Sequence, residues 1–349
     1  MKKTKFSSFC LNGIADGCKY CVKGEKSVLF IGGKCSRNCW YCSLSNFRKK
    51  TNQIFINERP SKKISEIIEE IKESNSKGVG ITGGDPLISF KKTLFLIKKI
   101  RENFGKNFHI HIYLPLNLLD EQKLRKLSFL VDEIRLHPSI FLTKNKKIVE
   151  NEIEKIKMAS KIFKKNVGIE IPCIPNKEEE IVDFILKIKD LISFVNLNEF
   201  EISETNQKIV EKNFSLNRDS YTIKNSLETG KKLLKILKKN KIKLKVHLCS
   251  AETKDLFQYR NRLLRRNVLP FGKKLKNGNV AYFCVLDEIR ENLKKIRQLT
   301  KNYYFDKLGK RIILSKKELP KIKKEKIPLY YIEELPSYKS EIVLMEKIN

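Results

Sequence analysis

No stretch of this 349-residue chain reaches about 18 uninterrupted apolar residues, so no helix is expected to span a membrane. The first residues, MKKTKFSSFCLNGIADGCKYC, are basic but lack the apolar run of roughly 7–15 residues that a secretory signal requires. Repeats and low-complexity tracts are missing as well. Acidic residues are scarce: 40 Asp and Glu stand against 73 Lys and Arg, a formal charge of +33. Such a field favours polyanions such as RNA, DNA or phosphorylated substrates. An AT-rich genome or a hot, salty cytoplasm would give the same Lys- and Ile-rich composition. A secreted disulfide framework is also excluded. The nine cysteines are an odd number, six of them precede residue 43, and such clustering in a reducing, cytoplasmic protein points to metal.

What is present is an α/β pattern. Apolar content is 41%, enough for a large core. From residue 27 to 249, short β-branched runs (SVLFIGG, GVGITGG, FHIHIYLP, VDEIRLHP, VGIEIPCIP, FVNLNEFEIS, IKLKVHLCS) alternate with amphipathic helical stretches. Asp120 is a candidate N-cap for the helix DEQKLRKLSFL, and Ser61 or Ser65 for SEIIEEIKESNS. Six or seven βα units in series imply parallel strands with right-handed crossovers. That is too few for a closed eightfold barrel, so the expected architecture is a partial (β/α)6-type barrel. Its site would lie on the loops at the C-terminal ends of the strands. Four segments are expected: a Cys-rich extension at 1–26, the barrel at 27–249, a basic helix at 250–266, and a small mixed α+β appendage at 267–349.

The segment GGKCSRNCWYCSLS follows the first strand and holds Cys35, Cys39 and Cys42. A structural zinc site uses paired knuckles and closes with a fourth ligand. Three thiolates on one loop instead wrap one face of a 4Fe–4S cube and leave one iron open. The second motif, TGGDPL at 82–87, follows the second strand, and its glycines let the main chain approach a ligand closely.

The C-x3-C-x2-C spacing, with Tyr41 just before the last cysteine, resembles the radical SAM superfamily signature. The string GCKYCVKGEKSVLFIGGKCSRNCWYC, and downstream KDLFQYRNRLLRR, resemble archaeal radical SAM proteins related to pyruvate formate-lyase activating enzymes. The resemblance implies that S-adenosylmethionine (SAM) binds the open iron and is split reductively, giving a 5′-deoxyadenosyl radical that takes hydrogen from a substrate. It implies a low-potential donor of ferredoxin or flavodoxin type. It further implies that Gly83, Gly84 and Asp85 hold the methionyl ammonium, Asp85 replacing the usual Glu. Arg135 and His137 would hold ribose or carboxylate, and Gly168, Glu170, Asn196 and Asn198 would flank the nucleoside. His109 and His111 share one strand face, inward or outward.

A second cluster of donors comprises Cys10, Cys18 and Cys21 ahead of the first strand, with His247 and Cys249 on the seventh. Four of these five would close a zinc site or hold an auxiliary iron–sulfur cluster. Cys173 and Cys284 stand alone, as core residues do. Three functions remain open: a radical SAM enzyme acting on RNA such as tRNA, with Arg260, Arg262, Arg265 and Arg266 on phosphates; an activase acting on a protein or a small molecule; or a non-catalytic, zinc-stabilised RNA-binding protein.

Overall fold

The computed structural model describes residues 1–163 and 166–349. Among them the chain forms two compact units, Met1–Lys72 with Ser76–Tyr259, and Glu73–Asn75 with Arg260–Asn349.

The first unit is built on seven strands: β1 (Lys26–Phe30), β2 (Gly78–Thr82), β3 (His109–Pro115), β4 (Glu133–His137), β5 (Asn166–Cys173), β6 (Phe194–Glu199) and β7 (Lys245–Cys249). They lie side by side in chain order, and every neighbouring pair is parallel. Antiparallel strands finish both edges, Ile54–Ile56 and Arg59–Ser61 beyond β1, Phe9–Leu11 and Lys2–Lys3 beyond β7. The sheet therefore remains an open, partial barrel, with one parallel strand more than six units supply. Residues 1–26 fold as part of this unit. They provide one edge and the short helix α1 (Asp16–Cys21).

Helices α2 (Ile64–Glu73), α3 (Phe90–Phe104), α4 (Glu121–Ser128), α5 (Lys146–Phe163), α6 (Glu178–Ile188) and α7 (Ser226–Lys239) accompany the strands. Asp120 caps α4 by accepting from the Lys123 N–H at 2.8 Å. At the start of α2 neither serine takes that role. The Glu66 carboxylate accepts from the Lys62 and Lys63 N–H groups instead.

Period-two alternation divides each strand between two environments. Ile110, Ile112, Leu114, Ile134, Leu136, Ile169, Val195, Leu197 and Leu248 join the core shared with the helices. Each such side chain contributes about 1.5–3 kcal/mol on burial. The alternate positions turn to the other face: His109, His111 and Tyr113; Glu133, Arg135 and His137; Glu170; Asn196 and Asn198; His247 and Cys249. The apolar half of each strand stabilises the fold, and the polar half is left for the barrel interior.

The segment expected as one basic helix is helical from 251 to 265, but Thr253–Tyr259 winds as a π-helix. The second unit is a six-stranded antiparallel sheet with short helices that include Arg260–Arg265, Glu291–Leu299 and Leu319–Lys324. Residues 307–310, KLGK, turn the hairpin between Tyr303–Asp306 and Arg311–Leu314. Its core includes Val285, Ile296, Ile312 and Leu329. Cys173 and Cys284 are buried in the cores of the first and second units respectively.

Candidate active site

A cavity of about 600 Å³ occupies the barrel interior. Cys35, Cys39 and Cys42 all line it, and none is in a disulfide. Their loop is fastened on every side. Arg37 donates to the His137 carbonyl at 2.5 Å and pairs with Glu152, both side chains nearly buried. Trp40 donates to the Phe141 carbonyl and stacks on Phe214. The Cys42 carbonyl accepts from Ser203 and Thr205, both at 2.8 Å. These ties fix the loop's main chain and leave its thiols to the cavity.

The Gly-Gly-Asp turn packs backbone to backbone on the start of the same loop. The Gly84 N–H donates to the Gly32 carbonyl at 2.9 Å, and the Asp85 N–H to the Lys34 carbonyl at 2.8 Å. A Cβ on Gly84 would lie 2.2 Å from the Lys34 carbonyl oxygen, so only glycine permits this approach. Gly83 and Gly84 line the cavity. Asp85 does not: it is 4% exposed, and its carboxylate accepts from the Leu87 N–H and from Ser36. In this structure its short side chain closes a local turn and ties that turn to the cysteine loop.

Tyr41 and His137 form a pair beside the thiols. His137 Nδ1 lies 2.8 Å from the Glu170 carbonyl, which can only accept, so Nδ1 carries the proton. Nε2 then accepts from the Tyr41 hydroxyl at 3.1 Å. Burial lowers the His137 pKa and keeps the ring neutral.

Deeper in the barrel a charged network joins four expected residues. Glu170 accepts from Arg135 at 2.9 Å, Asn196 at 3.1 Å and Asn198 at 2.8 Å. Arg135 also donates to Glu133 at 2.7 Å and to the Tyr113 hydroxyl at 3.1 Å. Arg135 therefore faces the cavity with its charge already paired. Burial raises the Glu133 pKa, but Arg135 and the Gly17 N–H outweigh burial and hold the carboxyl below its ordinary value. Gly168 plays a steric part, since a Cβ there would strike the Phe194 ring.

The helix α1 plugs the N-terminal end of the barrel. Its Gly17 N–H donates to Glu133 at 2.9 Å, and a Cβ at Gly17 would strike Arg135, Glu133 and His111. Cys18 and Cys21 thereby line the cavity, as do His111, His247 and Cys249; Cys10 does not. Cys10 stands in register with His247 on the neighbouring edge strand. His109 is turned inward with His111 but meets Lys26 rather than the cavity.

Several cavity residues escaped the sequence reading. Lys26 donates to the Val79 and His109 carbonyls, and burial pushes its pKa down to about 7. Lys254 and Gln258, one reaching Glu201 and the other Cys249, come from the π-helix. A charge at the start of an apolar strand was a signal for Lys26. For Lys254 and Gln258 the signal was the segment KDLFQYRNRLLRR, but its spacing does not place them in the cavity, since the wider turn of a π-helix shifts the helical phase.

The donor set fits a cluster. Burial pushes the Cys39 thiol up to about 11 and raises Cys35 as well, so ligation must release protons. Among the described residues no three His, Cys, Asp or Glu side chains converge on a single-ion position. Cys35, Cys39 and Cys42 would hold the cube, with Gly83 and Gly84 beside it for the methionyl end of SAM.

Residues 29–188 match the Radical SAM superfamily. A Methanocaldococcus jannaschii protein provisionally described as a glycyl-radical enzyme activating enzyme is 35% identical over 339 residues, 92% of this chain and 89% of that protein. The chain belongs to the radical SAM superfamily. Its cofactors are accordingly a 4Fe–4S cluster and SAM, and it is an enzyme. Two solved structures are also similar, at 12% identity each. A radical SAM methyltransferase from Kitasatospora setae aligns with 57% of this chain and 42% of its own length, with a TM-score of 0.37. A Pseudomonas aeruginosa protein provisionally described as a dihydrodipicolinate synthetase aligns with 59% and 70%, with a TM-score of 0.35. Alignments that loose carry no argument. No helix among the described residues is long and apolar enough to cross a membrane. The RNA expectation finds no support in these relatives, and Arg260, Arg262, Arg265 and Arg266 all make interactions within the chain.

Proposed function

We propose that this radical SAM enzyme modifies a protein, taking hydrogen from the backbone of a partner polypeptide, with a reduced ferredoxin or flavodoxin as electron donor. The observation that carries this reading is 35% identity to a protein described as a glycyl-radical enzyme activating enzyme across 92% of the chain. The bound cluster and SAM supply reductive cleavage of a carbon–sulfur bond and the hydrogen-abstracting power that follows from it. The chain's own residues hold and seclude the reactants. Gly83 and Gly84 offer bare main chain beside the thiols. The neutral His137 and the Tyr41 hydroxyl bind each other, which fixes the wall next to Cys39. In the Glu133–Arg135–Glu170 network both carboxylates are paired with the one guanidinium, which holds the floor of the cavity in place.

The test is isotopic. Anaerobically reconstituted protein receives dithionite, SAM and glycine-containing peptides deuterated at the glycine Cα. Deuterium appearing in 5′-deoxyadenosine supports the reading. Turnover stimulated by bulk tRNA, with no deuterium taken from any peptide, overturns it.

A further inference from the structure

We propose that Cys18, Cys21, Cys249 and His247 hold a second iron–sulfur cluster inside the barrel, separate from the one at the cysteine loop. This inference is independent of the substrate reading. All four residues line the cavity. Their proximity follows from register and hydrogen bonding. His247 stands beside Asn196 across the β6–β7 pair, and Cys249 beside Asn198. The Cys18 thiol lies 3.5 Å from Asn196 Oδ1, which places Cys18 next to His247. Cys21 lies one helical turn beyond Cys18, on the same side of α1.

Buried cysteines usually serve as small packing residues. Two observations distinguish this group. His247 is 1% exposed, yet neither ring nitrogen has a hydrogen-bond partner among the described residues. Buried polar atoms are normally satisfied, so an imidazole orphaned on both sides at a cavity wall marks a missing ligand. Moreover, two of the sulfurs already receive N–H donors, Cys18 from Arg135 at 3.4 Å and Cys249 from Gln258 at 3.3 Å. Hydrogen bonds to sulfur are among the features that tune cluster thiolates.

Zinc would demand tetrahedral convergence on one point. These side chains do not converge in that way, and neither do those of Cys35, Cys39 and Cys42.

The test counts metal rather than turnover. Wild-type chain, a C35A/C39A/C42A variant and a C18A/C21A/C249A variant are reconstituted anaerobically with iron and sulfide, then assayed for iron, sulfide and zinc. Each triple variant should keep about half of the wild-type iron and a reducible cluster signal. Because removing three buried thiols can unfold the barrel, His247→Cys provides a second arm. It should keep full iron while lowering the midpoint potential of one cluster, since thiolate replaces imidazole. An iron-free C35A/C39A/C42A variant, zinc in place of iron, or an unchanged potential in His247→Cys overturns the proposal.

Discussion

The two ends of the barrel cavity are built on opposite plans. At the rim, three thiols arise within eight residues of one loop, and distant elements supply only the fasteners: Glu152, Phe141, Ser203 and Thr205. At the floor, the donors are scattered over the sequence, and a charged network holds them in place. A contiguous motif carries its chemistry in its own spacing. A dispersed site exists only once strand order has gathered it. The rim should therefore fail locally, through lost metal, and the floor globally, through lost stability.

The largest expected effect is at the rim. Cys39→Ala should cut iron retention at the loop by about 100-fold or more, because even outer-shell changes cost 10–100-fold. Measured by anaerobic iron titration of a variant that is otherwise normally folded, unchanged retention would erase the contrast. Next comes the floor. Glu133→Ala removes one partner from a buried pair whose side chains are 0% and 3% exposed. It should cost about 3 kcal/mol, the low end of the range for such pairs because Glu170 remains, read as a shift in denaturant midpoint. The sign with pH follows from the depressed Glu133 pKa. Its contribution is present above the unfolded carboxyl pKa and fades as pH falls through the lower, folded value.

How much of this was legible differs between the two ends for the same reason. The triplet, the Gly-Gly turn and the alternation that sets His111, Arg135, Glu170 and Asn196 apart from the apolar positions follow from local spacing and period two, whereas the inward direction of the histidine face does not. Arg37 was not singled out, because a charge between two cysteines reads as solvated until Glu152 is brought to it by α5. The orientation of Asp85 is not legible in the same way, because chain order does not say which way a carboxylate turns, and in the structure Ser36 and the Leu87 N–H hold it. Cys10 stands directly opposite His247 in the sheet but, unlike the other four donors, does not line the cavity, which sequence spacing does not reveal.

Two smaller effects sharpen the comparison. Lys26 titrates near pH 7 in the folded protein and near its ordinary value, about 10.4, when unfolded. Between those values the unfolded chain binds the extra proton, so stability rises with pH. Lys26→Met should remove that rise, so the wild-type-minus-variant difference in denaturation free energy should climb from pH 7 to 10, and a flat difference would contradict the assignment. Smallest is Asp85→Asn. It should lower stability by about 1 kcal/mol through a weakened hydrogen bond and leave SAM affinity nearly unchanged in equilibrium dialysis. A large loss of SAM affinity would return Asp85 to the cavity.

The central claim is that the rim thiols, beside Gly83 and Gly84, are where SAM is cleaved. The most direct measurement is 5′-deoxyadenosine released from SAM under dithionite by wild type and by the C35A/C39A/C42A variant, each reconstituted with iron and sulfide. The account predicts nucleoside from the wild type and none from the variant, even where the variant retains iron. Equal release from both would contradict it.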